Sequence, residues 1–491
     1  MRLIPEATRF FWRDAKILGC LIIEAECIRK KRNIVETTQS FSRPAFIATL
    51  LTGTFSMSIS QSALSTAYPA FMRSFGVSAS TVAWLTTGFM LVMSLMIPVS
   101  PWLLANVGFK RLFQSVVLTF AIGTALCVWA PSFGVLLGGR LLEALAVGII
   151  FPSFQTVLLT ITPEAQRGQV MGVAGLVMGS ALAVGPIISG VLLTWFSWQA
   201  LFILFLVVAL GVFAVSFRTI KDVMPHAPSQ LDWLSVILAA SFPTILYTMS
   251  EITHSGLRLS LIVLLVVALG LGVWFVVRQL QKVRPLLQLR VFATKRYTQS
   301  VLLTGISYIG LIVTTIIMPL YFQTILHVSP LVSGLSLVPA AVCLSLLNPR
   351  AGKLLDQFGP RLVVLIGMGL ITAGFLLMGL FTAVLNLPLA ICGAIITESG
   401  NAFVMMPAVT AGANALPKTL IADGTAVTTA CRQLLGSAGV AVATLILAQV
   451  QAASGNDLLG FRVTFLAFAF VGLAGLLLGL RLPSQRATAS R

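Results

Sequence analysis

Residues 259–277 read LSLIVLLVVALGLGVWFVV and contain no charged side chain. A helix of about 20 apolar residues spans the hydrocarbon core of a bilayer, where every backbone polar group must be bonded internally. The rest of the chain has the same character, because 57% of its 491 residues are hydrophobic and only 9% are charged. A soluble domain carries about a quarter of charged residues, so this composition excludes a soluble enzyme and predicts a membrane protein.

Apolar runs of this kind recur along the chain and are separated by Pro, Gly and charged residues. They predict fourteen transmembrane helices. The predicted spans are 45–68, 81–100, 112–130, 133–157, 169–193, 198–217, 233–250, 259–277, 298–320, 331–348, 362–385, 387–411, 424–449 and 463–480.

The positive charges indicate how these spans are oriented. The net charge is +18, and the 32 Lys and Arg residues are scattered through short loops. Such residues concentrate on the cytoplasmic side of membrane proteins, and an even number of spans with both termini inside places most of them there. We therefore expect a multi-pass protein of the cell (cytoplasmic) membrane with both termini cytoplasmic. A nucleic-acid partner is not expected, because it needs a basic face on a soluble domain.

The two halves of the chain share a sequence pattern. Val77-Ser78 recurs as Val328-Ser329, and Gly108 recurs as Gly359 at the same offset. Duplicated halves are typical of transporters whose two bundles are related by an axis along the membrane normal. We predict an all-α fold of two six-helix bundles plus two linker helices. The predicted segments are a cytoplasmic N-terminal segment (1–44), an N-terminal six-helix bundle (45–217), cytoplasmic linkers with a transmembrane hairpin (218–297), a C-terminal six-helix bundle (298–482) and a cytoplasmic tail (483–491).

Residues 352–361 read GKLLDQFGPR and join two predicted spans on the inner side. They resemble the loop motif of the major facilitator superfamily. The first-half counterpart has Ala105 where the acid of this motif belongs. The resemblance implies that Asp356 latches an inner gate by contact with a helix N-terminus and an Arg, with helix-dipole attraction as the physical basis. The gating residues that it implies are Gly108, Lys110, Arg111, Gly352, Asp356, Gly359 and Arg361.

Three further stretches resemble the drug/proton antiporter family with fourteen helices. They are RLLE at 140–143, GPIISG at 185–190 and RQLLG at 432–436, and the resemblance covers residues 45–482. It implies proton-coupled export of an amphipathic compound by alternating access. The chain departs from this family at Ser60, where the first span usually carries an Asp. Export of an endogenous lipid or metabolite, or a non-transporting receptor on the same fold, stays open as an alternative.

Buried carboxyl groups are the chemistry that the sequence offers for coupling. It contains no nucleotide-binding loop and no metal-binding spacing, so we predict no cofactor and no metal, and a monomer whose partners are protons, a small amphipathic substrate and the lipid bilayer. Glu143 and Glu398 lie clearly within spans, where a charge costs about 2.5–3.5 kcal/mol. A buried carboxyl group can bind and release protons near neutral pH. Arg140 lies three residues before Glu143 and hence on the same helical face.

These three residues are the predicted proton-coupling group, and each has a structural alternative. Arg140 and Glu143 could form a permanent ion pair that fixes helix packing. Glu398 could be satisfied by its neighbours Thr397, Ser399 and Asn401 without binding protons.

Two other groups of residues are predicted to serve transport. Flexible Met and aromatic side chains can line an adaptable cavity, and an Arg can tune a carboxylate or bind a helix terminus, although lipid-facing positions are an alternative for the apolar residues. The predicted cavity or charge-tuning residues are Arg432, Phe89, Met93 and Met405. Glycines and a proline in the fifth span predict a helix pivot, with close packing as the alternative. The pivot residues are Gly179, Gly185, Pro186 and Gly190.

Overall fold

The computed structural model describes residues 42–224, 228–256, 258–283, 285–384 and 386–482. The predicted cytoplasmic tail, 483–491, and all but the end of the predicted N-terminal segment, 1–44, therefore lie outside the described residues. The chain divides into a first unit, residues 1–48, and a second unit, residues 49–491. The described residues of the first unit form the start of one helix, and all the other helices belong to the second unit.

The described part of the chain is built of α-helices joined by short turns and contains no β-strand. In chain order the helices are α1 (Arg43–Ala63), α2 (Tyr68–Phe75), α3 (Ala79–Met96), α4 (Ser100–Val107), α5 (Phe109–Val128), α6 (Phe133–Ile161), α7 (Arg167–Trp195), α8 (Gln199–Thr219), α9 (Trp233–Ala239), α10 (Ser241–Ser255), α11 (Leu259–Gln281), α12 (Lys295–Thr324), α13 (Pro330–Leu335), α14 (Val338–Phe358), α15 (Pro360–Leu380), α16 (Leu387–Asn414), α17 (Ile421–Ser454) and α18 (Asp457–Leu480).

Twelve helical segments among the described residues are long and apolar enough to cross a membrane. The prediction of an all-α polytopic membrane protein is thereby confirmed, whereas the number fourteen stays a prediction. The two remaining predicted spans, 45–68 and 233–250, are also largely helical. The first contains many hydroxyl side chains, and Ser58 donates to the carbonyl of Thr54 one turn earlier at 2.8 Å. The second is shorter and is divided at Ala240 into α9 and α10.

The two repeated loop motifs are more helical than the sequence predicts. Residues 352–358 form the last turns of α14, so the connection to α15 is the single residue Gly359, with φ of 81°. Gly108 has φ of 80° and makes the same connection between α4 and α5. A positive φ is readily adopted by glycine, which explains why both helices end at this residue type. The sharp turns at equivalent places agree with the sequence repeat.

Packing between helices places the residues of interest. In the first half α5 packs against α6 and α8, and α3 packs against α6. In the second half α15 packs against α16 and α18, and α12 packs against α16 and α17. Between the halves, α7 runs along α14 and α6 contacts α17. Helix α10 of the predicted hairpin contacts α3 of the first half and α17 of the second.

Candidate functional site

Glu143 on α6 is the centre of a buried polar network. It forms an ion pair with Arg140, and the side chains of the two residues are 0% and 1% exposed. Ser60 of α1 donates to Glu143 Oε2 at 3.0 Å and accepts from Arg140 Nη1 at 2.9 Å. Thr124 of α5 donates to Glu143 Oε1 at 2.7 Å. The Arg140 guanidinium also lies 4.4 Å from the centre of the Phe89 ring. Three helices thus meet at one carboxyl group.

A buried ion pair persists only where further hydrogen bonds compensate its loss of water. Ser60 and Thr124 supply those bonds from α1 and α5. Ser60 stands where the resembling family usually has an Asp, which made it visible in the sequence. Thr124 was missed, because nothing in the spacing of its span distinguishes it from other small polar residues. Arg140 Nε is buried and has no hydrogen-bond partner among the described residues.

Glu398 on α16 lies in a different environment. It is 6% exposed and accepts a hydrogen bond from Asn401 Nδ2 at 3.2 Å. The amide oxygen of Asn401 in turn accepts from Ser307 of α12 at 2.7 Å. Thr397 donates instead to the Gly393 carbonyl of its own helix. No Lys or Arg among the described residues forms an ion pair with Glu398, so its charged form lacks the compensation that Glu143 receives.

Asp356 connects the two halves at the end of α14. Its carboxylate accepts from the backbone N–H groups of Gly168 at 2.9 Å and Gln169 at 2.8 Å, at the N-terminus of α7. A carboxylate at this position is favoured by the positive end of the helix dipole. The helices approach so closely here that a methyl group added at Gly352 would overlap the Gly168 carbonyl oxygen. The helix N-terminus implied by the motif is present, and its role as a gate stays a prediction.

A second acid caps the helix that follows the first-half motif. Asp222, which follows α8, accepts from the Lys110 backbone N–H at 2.8 Å at the start of α5. The Lys110 ammonium donates to the Phe217 carbonyl at 3.2 Å. This contact stays within the first half, unlike that of Asp356. Arg111 and Arg361 form no ion pair within the described ranges. Asp222 was missed because it lies in a linker outside the repeated motif.

The predicted pivot residues have unequal surroundings on α7. A methyl group at Gly179 would lie 2.9 Å from Ser345 Oγ of α14, and one at Gly185 would collide with Ser62 of α1. Pro186 lies inside α7, which continues through it without a break. Gly190 faces open space, so close packing does not account for it.

Asp232 fastens the predicted hairpin at the start of α9. It binds Arg278 at 3.1 Å and Lys282 at 2.5 Å, both near the end of α11, and it also accepts from Ser235. Burial alone would raise the pKa of this carboxyl group, but the hydrogen bonds from Arg278, Lys282 and Ser235 hold the pKa well below its usual value. The charged form of Asp232 therefore ties the two ends of the hairpin together.

A cavity of about 400 Å³ lies where the hairpin meets both halves. Its walls come from α3 (Thr87, Met90, Leu91), α10 (Leu246, Tyr247), α12 (Tyr308, Ile312, Thr315, Ile316) and α17 (Gln433, Gly436, Ser437, Val440). The predicted cavity residues Phe89 and Met93 are buried on α3 outside this wall, and Met405 is buried on α16. Arg432 lies beside the cavity, 5.1 Å from the ring centre of Tyr308.

Comparison with known proteins gives a consistent result. The profile of the Major Facilitator Superfamily matches residues 50–441. The MFS-type transporter YcnB of Bacillus subtilis is 35% identical over 460 residues, covering 92% of this chain and 97% of the relative. Lincomycin resistance protein LmrB of Listeria monocytogenes is 34% identical over 416 residues, covering 83% and 87%. The solved proton:xylose symporter XylE is 11% identical with a TM-score of 0.63, covering 88% and 94%, and shares the fold.

Proposed function

This chain belongs to the Major Facilitator Superfamily, and we propose that it exports small amphipathic compounds from the cell in exchange for protons. The name of the Listeria relative, a lincomycin resistance protein, supports export of a toxic compound. The observation that carries the coupling proposal is the buried network of Glu143, Arg140, Ser60 and Thr124, contributed by three helices.

Proton coupling follows from how this network responds to helix movement. While Arg140 and Ser60 contact Glu143, the carboxylate keeps its charge. Where alternating access draws α1 away, the carboxylate loses its hydrogen bond from Ser60, and the carboxyl group binds a proton from the outer side. Renewed closure on Arg140 expels that proton towards the inner side. Each proton moving inward gains about 2.3 kcal/mol per 100 mV, enough for about a fiftyfold substrate gradient.

Glu398 is the second proposed proton carrier. Its carboxyl group has one hydrogen bond, from Asn401, and no cation pairs with it within the part of the chain that the structure describes. In such surroundings the neutral form is favoured, and opening towards water favours the charged form. Glu398 can therefore change its protonation with the transport cycle, in the half of the molecule that lacks the Arg140 pair.

The substitution Glu143→Gln tests the proposal. Inverted membrane vesicles containing the protein are given a proton gradient, and accumulation of labelled lincomycin and of ethidium is followed. We expect Glu143→Gln to abolish accumulation against a gradient while preserving exchange of labelled for unlabelled compound, because Gln keeps the shape but cannot release a proton. Glu164→Gln is the matched control, since Glu164 is 71% exposed and forms only a 3.8 Å contact with Arg167.

Two outcomes would contradict the proposal. Unchanged uphill accumulation in Glu143→Gln would exclude this residue as the coupling group. Absence of any substrate-dependent proton movement in the unaltered protein, with lincomycin, ethidium and extracted membrane lipids as substrates, would favour the receptor alternative.

A further inference from the structure

A buried charged group, Arg432, lies beside the cavity next to α10 and has no ion-pair partner among the described residues. Arg432 is 6% exposed, and no ion pair or hydrogen bond joins its guanidinium group to any residue within the described ranges. Its Nε is fully buried without a partner. A buried cation of this kind is costly unless an anion or strong acceptors compensate it. The face of the Tyr308 ring provides partial compensation through a cation–π contact.

The position of Arg432 relates it to the cavity wall. It lies one helical turn before Gly436 on α17, and Gly436 and Gln433 both line the cavity. Arg432 itself does not line the cavity, but its guanidinium group lies against the ring of Tyr308, which does, so the charge stands directly beside this part of the wall. On α12 the wall begins with Tyr308, whose hydroxyl donates to Gln433 Oε1 at 3.0 Å. One end of the cavity thus combines a positive charge with polar groups.

The other end of the cavity is mainly apolar. The wall continues for about two turns beyond Arg432, to Ile316 on α12 and Val440 on α17, which corresponds to roughly 12 Å at 1.5 Å per residue. Met90 of α3 and Leu246 of α10 face the same space. A volume of about 400 Å³ is within the range of small-molecule sites.

We infer that this cavity binds a small amphipathic organic anion, with its carboxylate or phosphate at Arg432 and its apolar part between Met90, Leu246 and Val440. A guanidinium group binds such oxyanions strongly, because its N–H donors match their geometry. The inference rests on the proposed export function in one respect: the bound anion is a substrate if the protein is an exporter. Helix α10 contributes Leu246 and Tyr247 to the wall, so the predicted hairpin becomes part of a binding site as well as a linker.

Binding is tested without transport, on the full chain in nanodiscs of uncharged phosphatidylcholine. The probes are three compounds that share one ring system: 1-naphthylacetate, its neutral amide and 1-naphthylethylammonium. Oleoyl lysophosphatidate forms a separate arm that distinguishes a lipid source from a soluble one. We expect the acetate to bind more tightly than the amide, and the ammonium compound to bind most weakly. Tight binding of either anion supports the inference, and the anion that binds shows whether the natural ligand is a lipid or a soluble compound.

Two pairs of variants locate the site. Arg432→Gln is expected to lower the affinity for the anion about tenfold or more and to leave that for the amide within about twofold, because only the charged hydrogen bonds are lost. Arg432→Lys is expected to lower the affinity for the anion less than Arg432→Gln does, because it keeps the positive charge. Arg462→Gln, on the exposed first turns of α18, is the control. Ser437→Trp fills the cavity and should abolish binding of both compounds, whereas Val442→Trp on the exposed face of α17 should not.

Equal affinity for the three naphthyl compounds, or unchanged anion affinity in both Arg432→Gln and Ser437→Trp, would overturn the inference. Either result leaves the export proposal intact if uphill efflux of ethidium or lincomycin depends on Glu143. Conversely, if Glu143→Gln leaves uphill accumulation unchanged, the binding measurements stay valid, because they need no proton gradient.

Discussion

Ser60 is the residue that joins two helices at the buried charges. Its hydroxyl group donates to Glu143 and accepts from Arg140, so one small side chain satisfies both members of the ion pair. The family that the chain resembles usually has an acid in this place, which would add a second carboxyl group near Arg140. With Ser60 the pair contains one acid and one base, and the first half therefore has a single proposed proton-binding group.

We predict that Ser60→Ala lowers the stability of the protein by about 1–3 kcal/mol, because a buried donor and acceptor lose their partner together. Thermal unfolding in detergent measures the change. Ser58→Ala is the matched control, since Ser58 is buried on the same helix but bonds only the Thr54 carbonyl of that helix. Equal losses in the two variants would show that Ser60 contributes through helix packing and not through the ion pair.

Helices α9–α11 form the element that the sequence predicts as a hairpin between two six-helix bundles. Its first part is broken at Ala240 and is shorter than the helices that are long enough to cross a membrane. Its position is nevertheless defined, because α10 packs on α3 and α17 and because Asp232 binds both Arg278 and Lys282. Trp84 of α3 also stacks on Tyr247 of α10, with ring centres 5.9 Å apart.

We predict that Asp232→Asn destabilises the protein by about 1–2 kcal/mol at neutral pH, since it removes a charge-assisted network that is partly exposed. The pKa of Asp232 is lower in the folded protein than in the unfolded chain. The stabilisation by Asp232 is therefore fully present well above pH 4, and it is lost as the pH falls from the unfolded-state pKa towards the folded-state pKa. The difference between the free energies of unfolding at pH 7 and at pH 3.5 should therefore be smaller in Asp232→Asn than in the unaltered chain. Asp457→Asn, an exposed substitution on α18, is the control, and an equal pH effect in it would contradict the argument.

At the scale of the whole molecule, the two halves are joined asymmetrically. Asp356 of the second half caps α7 of the first half, whereas the corresponding acid in the first half is absent and Asp222 caps α5 within its own half. Among the described residues, the motif of the second half places a carboxylate across the interface, and that of the first half has Ala105 in the corresponding place. Small residues of α7 and α14 make this contact close, so the interface must separate there when that side opens.

We predict that Asp356→Ala increases the population in which α7 and α14 are apart by about fivefold, which corresponds to a helix-cap contribution of about 1 kcal/mol. Spin labels are attached at the exposed positions Gln166 and Gln357 of a variant without other cysteines. Double electron–electron resonance then measures the distance between the two labels. Asp222→Ala is the matched control, because it removes the same kind of cap without touching the interface. An unchanged distance distribution in Asp356→Ala would show that this contact does not hold the halves together.

The sequence alone was sufficient to predict properties that depend on local composition and on the spacing of residues along a helix. Apolar runs predicted the helices, because crossing a bilayer requires many consecutive apolar residues. The i, i+3 spacing placed Arg140 and Glu143 on one face, and the structure pairs them. The glycines at 108 and 359 marked equivalent turns, because a positive φ favours this residue type. The broken helix at Ala240 escaped prediction, since hydropathy does not register a one-residue interruption.

Only the tertiary structure decided which distant residues share a site. Thr124 reaches Glu143 from another helix, and Asp222 caps α5 from beyond the end of α8. A cavity opens between α3, α10, α12 and α17, and Arg432 beside it has no ion-pair partner among the described residues. Contacts of this kind depend on the rotation and spacing of whole helices about one another. Those quantities are set by the packing of many side chains together, and no single stretch of the chain carries them.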